Sequence, residues 1–206
     1  MPSRNLEKIY LADTYYHLYN RGVNKRVIFK DQADYAVFLN LLKRYLNDQP
    51  TKDKKGRQYD WLYQDMELLA FCLMPNHFHL LIYQSKPEAM TRLLRGVATA
   101  YTTYFNKKYH RVGPLFQDRF KASMITRDDY LHHISRYIHL NPRGYEFWEF
   151  SSLPYYLGEK KAGWVRPEKI LELFDSPQEY KRFVADYEDQ KAMLDEIKSE
   201  LADDDL

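Results

Sequence analysis

Residues 66–83 read MELLAFCLMPNHFHLLIY, two apolar stretches joined by Pro75-Asn76. Runs of this kind on either side of a turn-forming dipeptide signal a β-hairpin. Apolar residues flank the histidines of the second run closely, Leu73-Met74 before and Leu80-Leu81-Ile82 after, so that run should be a central strand rather than a mobile edge. The flanking sequence supplies the remaining elements. Thr14 to Asn20, TYYHLYN, ends at Arg21-Gly22 and reads as an opening strand. Asp31 caps a helix to about Asn47, with Tyr35, Phe38, Leu39, Leu42, Tyr45 and Leu46 at helical spacing. The polar stretch PTKDKKG at 50–56 is a loop, and Pro87 opens a second helix to about Tyr109. Phe116 to Ile125 reads as a strand. Arg127-Asp128-Asp129 then starts a helix that Pro142 ends.

The first six elements follow the order strand, helix, strand, strand, helix, strand. That order predicts an α+β fold: a ferredoxin-like antiparallel sheet with helices on one face. Phe147 to Leu157 reads as an aromatic loop, and Pro167–Phe174 and Pro177–Tyr187 as short amphipathic helices, so a C-terminal helical extension is expected. We therefore divide the chain into a domain over 1–155 and an acidic, mostly helical extension over 156–206. Of the 206 residues 45% are hydrophobic, enough for a core, and the single cysteine, Cys72, excludes an intramolecular disulfide framework. The longest apolar run, Leu68 to Met74, falls far short of the ~20 residues of a membrane helix, and no secretory leader is visible. A soluble, cytoplasmic protein is expected. The net charge of +2 conceals a basic body and an acidic tail: 23 Lys+Arg against 13 Asp+Glu up to Tyr145, then 8 against 16. Such asymmetry suits a nucleic-acid binder or a charged surface helix.

His77 and His79 are separated by one residue on a predicted strand, so both project from one face while Phe78 faces the other. Two imidazoles so placed can hold a divalent metal, although ordinary packing also produces this spacing. On the helix before Pro142, His133, Tyr137 and Asn141 form one row. A tyrosine oxygen can be a nucleophile, but with a reference pKa near ~10 it needs a base or a polarised target. Tyr130, in the neighbouring row, is the rival nucleophile. A third group interleaves cations and rings: Arg92, Arg95, Tyr101, Tyr104, Phe105, Lys107, Lys108, Tyr109, His110 and Arg111, then Arg119, Phe120 and Lys121, with Arg136 and Arg143. Cations for phosphates among rings for bases suit a single-strand surface; the alternative is a solvated helix face.

Together these segments resemble a known family. Leu73-Met74-Pro75-Asn76-His77-Phe78-His79-Leu80-Leu81 is similar to the hallmark strand of HUH-type single-tyrosine transposases. Residues 130–143, with Arg136-Tyr137-Ile138-His139-Leu140-Asn141-Pro142-Arg143, resemble the tyrosine helix of their REP-associated branch. Gly113 to Lys121 and Tyr16 to Gly22 resemble the linking segment and opening strand, so the resemblance covers roughly residues 10 to 155. It implies a strand transferase that cuts single-stranded DNA bearing hairpins through a 5′-phosphotyrosine intermediate, leaving a 3′-hydroxyl. Tyr137 would be the nucleophile, and His77, His79 and Asn141 would hold Mg²⁺ or Mn²⁺. Arg21, Arg95, Lys107, Lys108, Arg119 and Lys121 are the candidate DNA contacts.

Two other readings stay open. One is a domesticated hairpin-DNA binder that no longer cleaves; the other is a metal-binding domain using zinc with His110, His132 or His133. The sequence leaves monomer and homodimer open. Through Phe174, Tyr180, Phe183, Val184 and Tyr187, the extension could dock across the DNA surface.

Overall fold

The computed structural model describes residues 11–127 and 130–186. Asp128, Asp129 and Tyr187, and the terminal Asp203-Asp204-Asp205, lie outside these residues. The elements, in order, are β1 (Thr14–Arg21), α1 (Gln32–Leu46), β2 (Met66–Met74), β3 (His77–Gln84), α2 (Ala89–Lys108), β4 (Lys121–Ile125), α3 (Leu131–Leu140), α4 (Leu153–Tyr156), α5 (Glu168–Leu171) and α6 (Pro177–Ala185). The four strands form one antiparallel sheet in the order β2-β3-β1-β4, as the ferredoxin-like reading requires. Among the described residues no helix is long and apolar enough to cross a membrane.

The central strands β1 and β3 pair from Thr14 opposite Gln84 to Arg21 opposite His77. Alternation along them divides the side chains between two cores. Tyr16, Leu18, Phe78, Leu80 and Ile82 face α1 and α2, while Leu81 and Tyr83 belong to the core beneath α3. The two crossover helices thus lie on one face as expected, and α3 covers the other. A bulge between Leu68 and Ala70 lets β2 keep Phe71 and Leu73 in the first core, and Cys72 in the second.

Several expected boundaries shift. Asp31 does cap α1, accepting the Asp34 N–H at 3.1 Å. The strand expected from Phe116 begins only at Lys121. Phe116 instead turns into the first core and bridges Gly22, while Gln117 N–H donates to Arg21 O and Asn20 Nδ2 donates to Asp118 O. The segment is tied to the end of β1 rather than running beside it.

Residues beyond 147 close the free edge of β2. Leu73 N–H donates to Phe150 O, Ser152 N–H to Phe71 O, Arg166 N–H to Leu68 O, and the Tyr156 hydroxyl to Leu69 O. Pairing of this kind hides a strand edge that would otherwise invite other chains. The chain past residue 155 contributes to both cores, with Trp164 and Val165 in the first and Tyr156, Ile170, Tyr180 and Val184 in the second.

The loop after β1 pins the β2–β3 turn. Gly22 N–H donates to Asn76 O at 2.8 Å, and the Ile28 and Phe29 N–H groups donate to Pro75 O at 2.8 and 3.0 Å. Gly22 makes this approach possible, because a Cβ there would lie within van der Waals overlap of the Arg26 carbonyl oxygen and the Ile28 side chain. Gly22→Ala is therefore expected to cost about 1–3 kcal/mol, the usual range for overpacking. Urea denaturation checks this, and a variant as stable as the parent would contradict the close approach.

Candidate active site

On the face beneath α3, alternation sets Tyr15, His17, Tyr19 and Arg21 of β1 beside His77, His79, Leu81 and Tyr83 of β3. Arg21 pairs with His77 and Tyr19 with His79, and His17 sits diagonal to His79. His17 Nε2 lies 2.9 Å from His79 Nδ1. The Tyr137 ring, on α3, stands almost perpendicular to both, with centroids 5.7 Å from His79 and 6.3 Å from His17. The rings of His77 and His79 are 5.0 Å apart and also perpendicular.

His77 makes two polar contacts, one through each ring nitrogen. Nδ1 is 2.6 Å from Asn76 Oδ1, and Nε2 is 3.1 Å from Asn141 Oδ1. The Asn76 amide is oriented by its NH₂, which donates to Lys25 O at 3.4 Å, so its oxygen faces the ring. The Nδ1 nitrogen then carries the proton and donates. Nε2 and the Asn141 oxygen are both lone-pair atoms converging at the C-terminal end of α3. Two imidazoles and an amide oxygen suit a borderline or hard divalent cation. Among the described residues no three His, Cys, Asp or Glu side chains cluster to hold a metal. The zinc reading through His110, His132 or His133 therefore finds no centre here.

Burial pushes all three sheet histidines toward the neutral form. His17 falls to about 3. His79 is driven well down by burial, then by His17 and His77. For His77, burial and the Arg21 charge outweigh the Asn141 contact. Imidazoles that stay neutral keep a lone pair for a cation at neutral pH.

The helix bearing Tyr137 is fixed from behind by buried polar groups. Tyr180 of α6 places its hydroxyl 2.9 Å from Ser135 Oγ and 2.8 Å from His139 Nδ1. His139 Nε2 lies 2.7 Å from Ser152 Oγ, which accepts the Phe71 N–H of β2. Arg136 is fully buried. It donates to Phe183 O and His133 Nδ1, and its guanidinium lies 4.2 Å from the centre of the Phe183 ring.

Several expected site residues are elsewhere. His133, placed in a row with Tyr137 and Asn141, accepts from Arg136 and packs against the Phe183 ring. Tyr130 lies under the Arg127 guanidinium and beside His133, whereas the Tyr137 ring meets those of His79 and His17. Arg136, grouped with the basic surface, is interior because its aliphatic stem and guanidinium fill the gap between α3 and α6. The aromatic positions of the extension, Phe174, Tyr180 and Phe183, dock on α3.

The candidate DNA contacts divide four ways. Arg21 and Lys121 flank the histidines: Arg21 lies opposite His77 with Nε 2.5 Å from Gln117 Oε1, and the Lys121 ammonium lies 5.4 Å from the Tyr19 ring centre. Arg95 and Arg119 are exposed on the far side of the sheet, where with Phe78, Phe116 and Phe120 they line a cavity of about 410 Å³. Lys107 is exposed on the last turn of α2. Lys108 is a correction, because its ammonium is held by Asp31 at 2.7 Å and by the fully buried Asp34 at 2.8 Å. Burial would raise the Asp34 carboxyl, yet Lys108 and the Lys30 N–H, Tyr109 and Tyr104 donors hold it below its ordinary value. Arg92, also grouped with the basic surface, is paired with Asp60 and Asp65.

His17 and Tyr19 were missed by the sequence reading. The signal was present, since TYYHLYN alternates as HFHLLIY does and sends both rings to the face of His79.

Residues 61–141, from the approach to β2 through the last residue of the site, match the family model described as "Transposase IS200 like". A solved structure described as a REP-associated tyrosine transposase bound to a REP hairpin is similar to the chain. It has TM-score 0.53 and 17% identity, covering 78% of this chain and 90% of that one. A crystal structure from Deinococcus radiodurans R1, provisionally assigned as a transposase, has TM-score 0.38 and 18% identity, covering 67% and 95%. No curated protein matches the sequence.

Two measurements follow from these environments. His17 and His139 both fall to about 3 through burial, against ~6.5 in an unfolded chain. Between those values the unfolded state binds more protons, so stability rises with pH and is lost as pH falls below about 6.5. Each group contributes up to ~1.4 kcal/mol per pH unit. Urea midpoints should drop from pH 7 to pH 5, and a flat profile would contradict the buried neutral rings. Separately, Lys108→Met should lower Tm while leaving single-strand affinity within about twofold; a large affinity loss at unchanged Tm would return Lys108 to the DNA surface.

Proposed function

We propose that this chain, whose residues 61–141 match the model described as "Transposase IS200 like", is a member of that family and cuts and rejoins single-stranded DNA with Tyr137 as its nucleophile. The observation that carries this reading is the meeting of the Tyr137 ring with His79, beside His77 and Asn141. The phenol gives up its proton as its oxygen attacks phosphorus, the bond to the 3′-oxygen breaks, and that oxygen takes up a proton in turn and leaves as a hydroxyl. The strand is then held as a 5′-phosphotyrosine. Attack by a 3′-hydroxyl on that ester reverses the step and rejoins DNA, with no nucleotide cofactor required.

His77, His79 and Asn141 would hold Mg²⁺ or Mn²⁺, which when bound polarises the scissile phosphate and offsets its developing charge. The protein's own part is to keep both imidazoles neutral and to aim Tyr137 from a helix braced by Tyr180 and Arg136. Arg21 and Lys121, on either side of the histidines, suit the phosphates flanking the cut. Hairpin-bearing strands are the substrate favoured here, because the solved relative of the same fold is bound to a REP hairpin.

The test is incubation with labelled hairpin single strands and Mn²⁺, followed by denaturing electrophoresis. Wild type should give a denaturation-resistant adduct, and His77→Ala or His79→Ala should reduce it by at least about 100-fold, within the usual range for metal-site loss. Tyr137→Phe should abolish it while preserving hairpin affinity. Hairpin binding by wild type without any adduct would point to the non-cleaving binder. An adduct that survives Tyr137→Phe and disappears in Tyr130→Phe would move the nucleophile.

A further inference from the structure

His17 has no part in the chemistry described above, yet it is a fully buried polar ring placed against a proposed ligand. Its Nε2 lies 2.9 Å from His79 Nδ1, and the two rings are within 7° of coplanar with centroids 5.1 Å apart. A nitrogen–nitrogen contact in a shared plane aligns the N–H of one ring with the lone pair of the other, which is hydrogen-bond geometry rather than a stack. His77 has the corresponding arrangement, with Asn76 Oδ1 accepting from its Nδ1 at 2.6 Å. Both proposed ligands therefore have a partner at Nδ1, one from the turn and one from the neighbouring strand.

We propose that His17 is a positioning residue that sets the tautomer and ring plane of His79 by accepting its Nδ1–H. The inference rests on the reading of His79 as a metal ligand. When Nδ1 of His79 donates to His17, the lone pair of His79 is on Nε2, the nitrogen that can bind a cation. When His17 donates instead, the His79 proton moves to Nε2 and blocks it. His17 is well suited to this task, because β1 is locked between β3 and β4 and the ring is packed beside Tyr19 and Tyr137. The cation-competent arrangement puts the His17 proton on Nδ1, a buried atom with no hydrogen-bond partner among the described residues. A buried N–H without an acceptor costs free energy, which a cation held at His79 Nε2 would offset. Partners of this kind orient metal-binding histidines, and their loss lowers metal affinity about 10- to 100-fold.

The experiment has two arms on the full chain. Mn²⁺ affinity is measured by calorimetry and by electron paramagnetic resonance for wild type, His79→Ala, His17→Phe and His17→Gln. His17→Phe should weaken Mn²⁺ about 10- to 100-fold, and His17→Gln, whose amide oxygen can accept from Nδ1, should recover most of the loss. Hairpin affinity measured without metal should be unchanged in both. The second arm needs no variant: ¹⁵N imidazole spectra of the Mg²⁺-saturated protein should show His79 and His17 each protonated at Nδ1.

The outcomes separate the two claims. If His79→Ala binds Mn²⁺ like wild type, or His79 carries its proton on Nε2 with Mg²⁺ present, the ligand reading itself fails. If His79→Ala loses Mn²⁺ but His17→Phe does not, only the positioning role is overturned. The same holds if His17 proves protonated at Nε2, or if Gln rescues nothing. Should His17→Phe fail to fold, the spectra and the Gln variant still decide.

Discussion

The pairing of β1 with β3 is the constraint on which the rest of the structure depends. Side chains on these strands alternate with a period of two, so a slip of one residue would bury His77 and His79 against α1 and α2 and turn Phe78 and Leu80 toward α3. Register is held at the Pro75-Asn76 turn, where the loop after β1 donates three backbone N–H groups to two carbonyls. The same bonds bring Arg21 beside His77 and Asn76 within reach of its Nδ1. A glycine without a Cβ at position 22 is what allows the loop to approach so closely.

The second face of the sheet is organised by polar groups more than by apolar bulk. Tyr137, Ile138 and Leu131 of α3 pack on β2 and β3, but the helix is oriented by Arg136, His139 and Ser135, all fully buried and hydrogen-bonded. Buried polar groups are costly unless paired, and a satisfied network specifies one arrangement where apolar packing would tolerate several. A tyrosine in the role proposed for Tyr137 needs that kind of definition. The residues that complete the network, Tyr180 and Phe183, come from α6, so the helical extension reaches the site through the back of α3.

Charge is distributed with similar economy. The basic body suggested by the sequence contains cations in quite different roles. Lys108 and Arg92 neutralise carboxylates and Arg136 fills the α3–α6 gap, whereas Arg21 and Lys121 border the histidines. Arg95 and Arg119 lie beyond the opposite sheet face, with an aromatic-lined cavity between them. Net charge describes the long-range field of the body, and only the partners of each cation distinguish a surface contact from a structural one.

The sequence by itself determined the elements and the faces. Apolar periodicity located all four strands and the major helices, and the spacing of His77 and His79 put them on one side of a strand because alternation is local geometry. It also marked Tyr137 and Asn141 one turn apart. Periodicity alone did not separate Tyr137 from Tyr130, and both are buried in the second core; which rings each one meets is a matter of docking. It overran β4 because Phe116 and Gln117 have strand composition, yet their bonds go to Gly22 and Arg21 instead of along a ladder. The contact of His17 with His79, residues separated by 62 positions, and the burial of Arg136 under Phe183 were decided by tertiary structure alone. Each depends on which strands are neighbours and which helix lies above them, and such long-range proximity is not written in any local pattern.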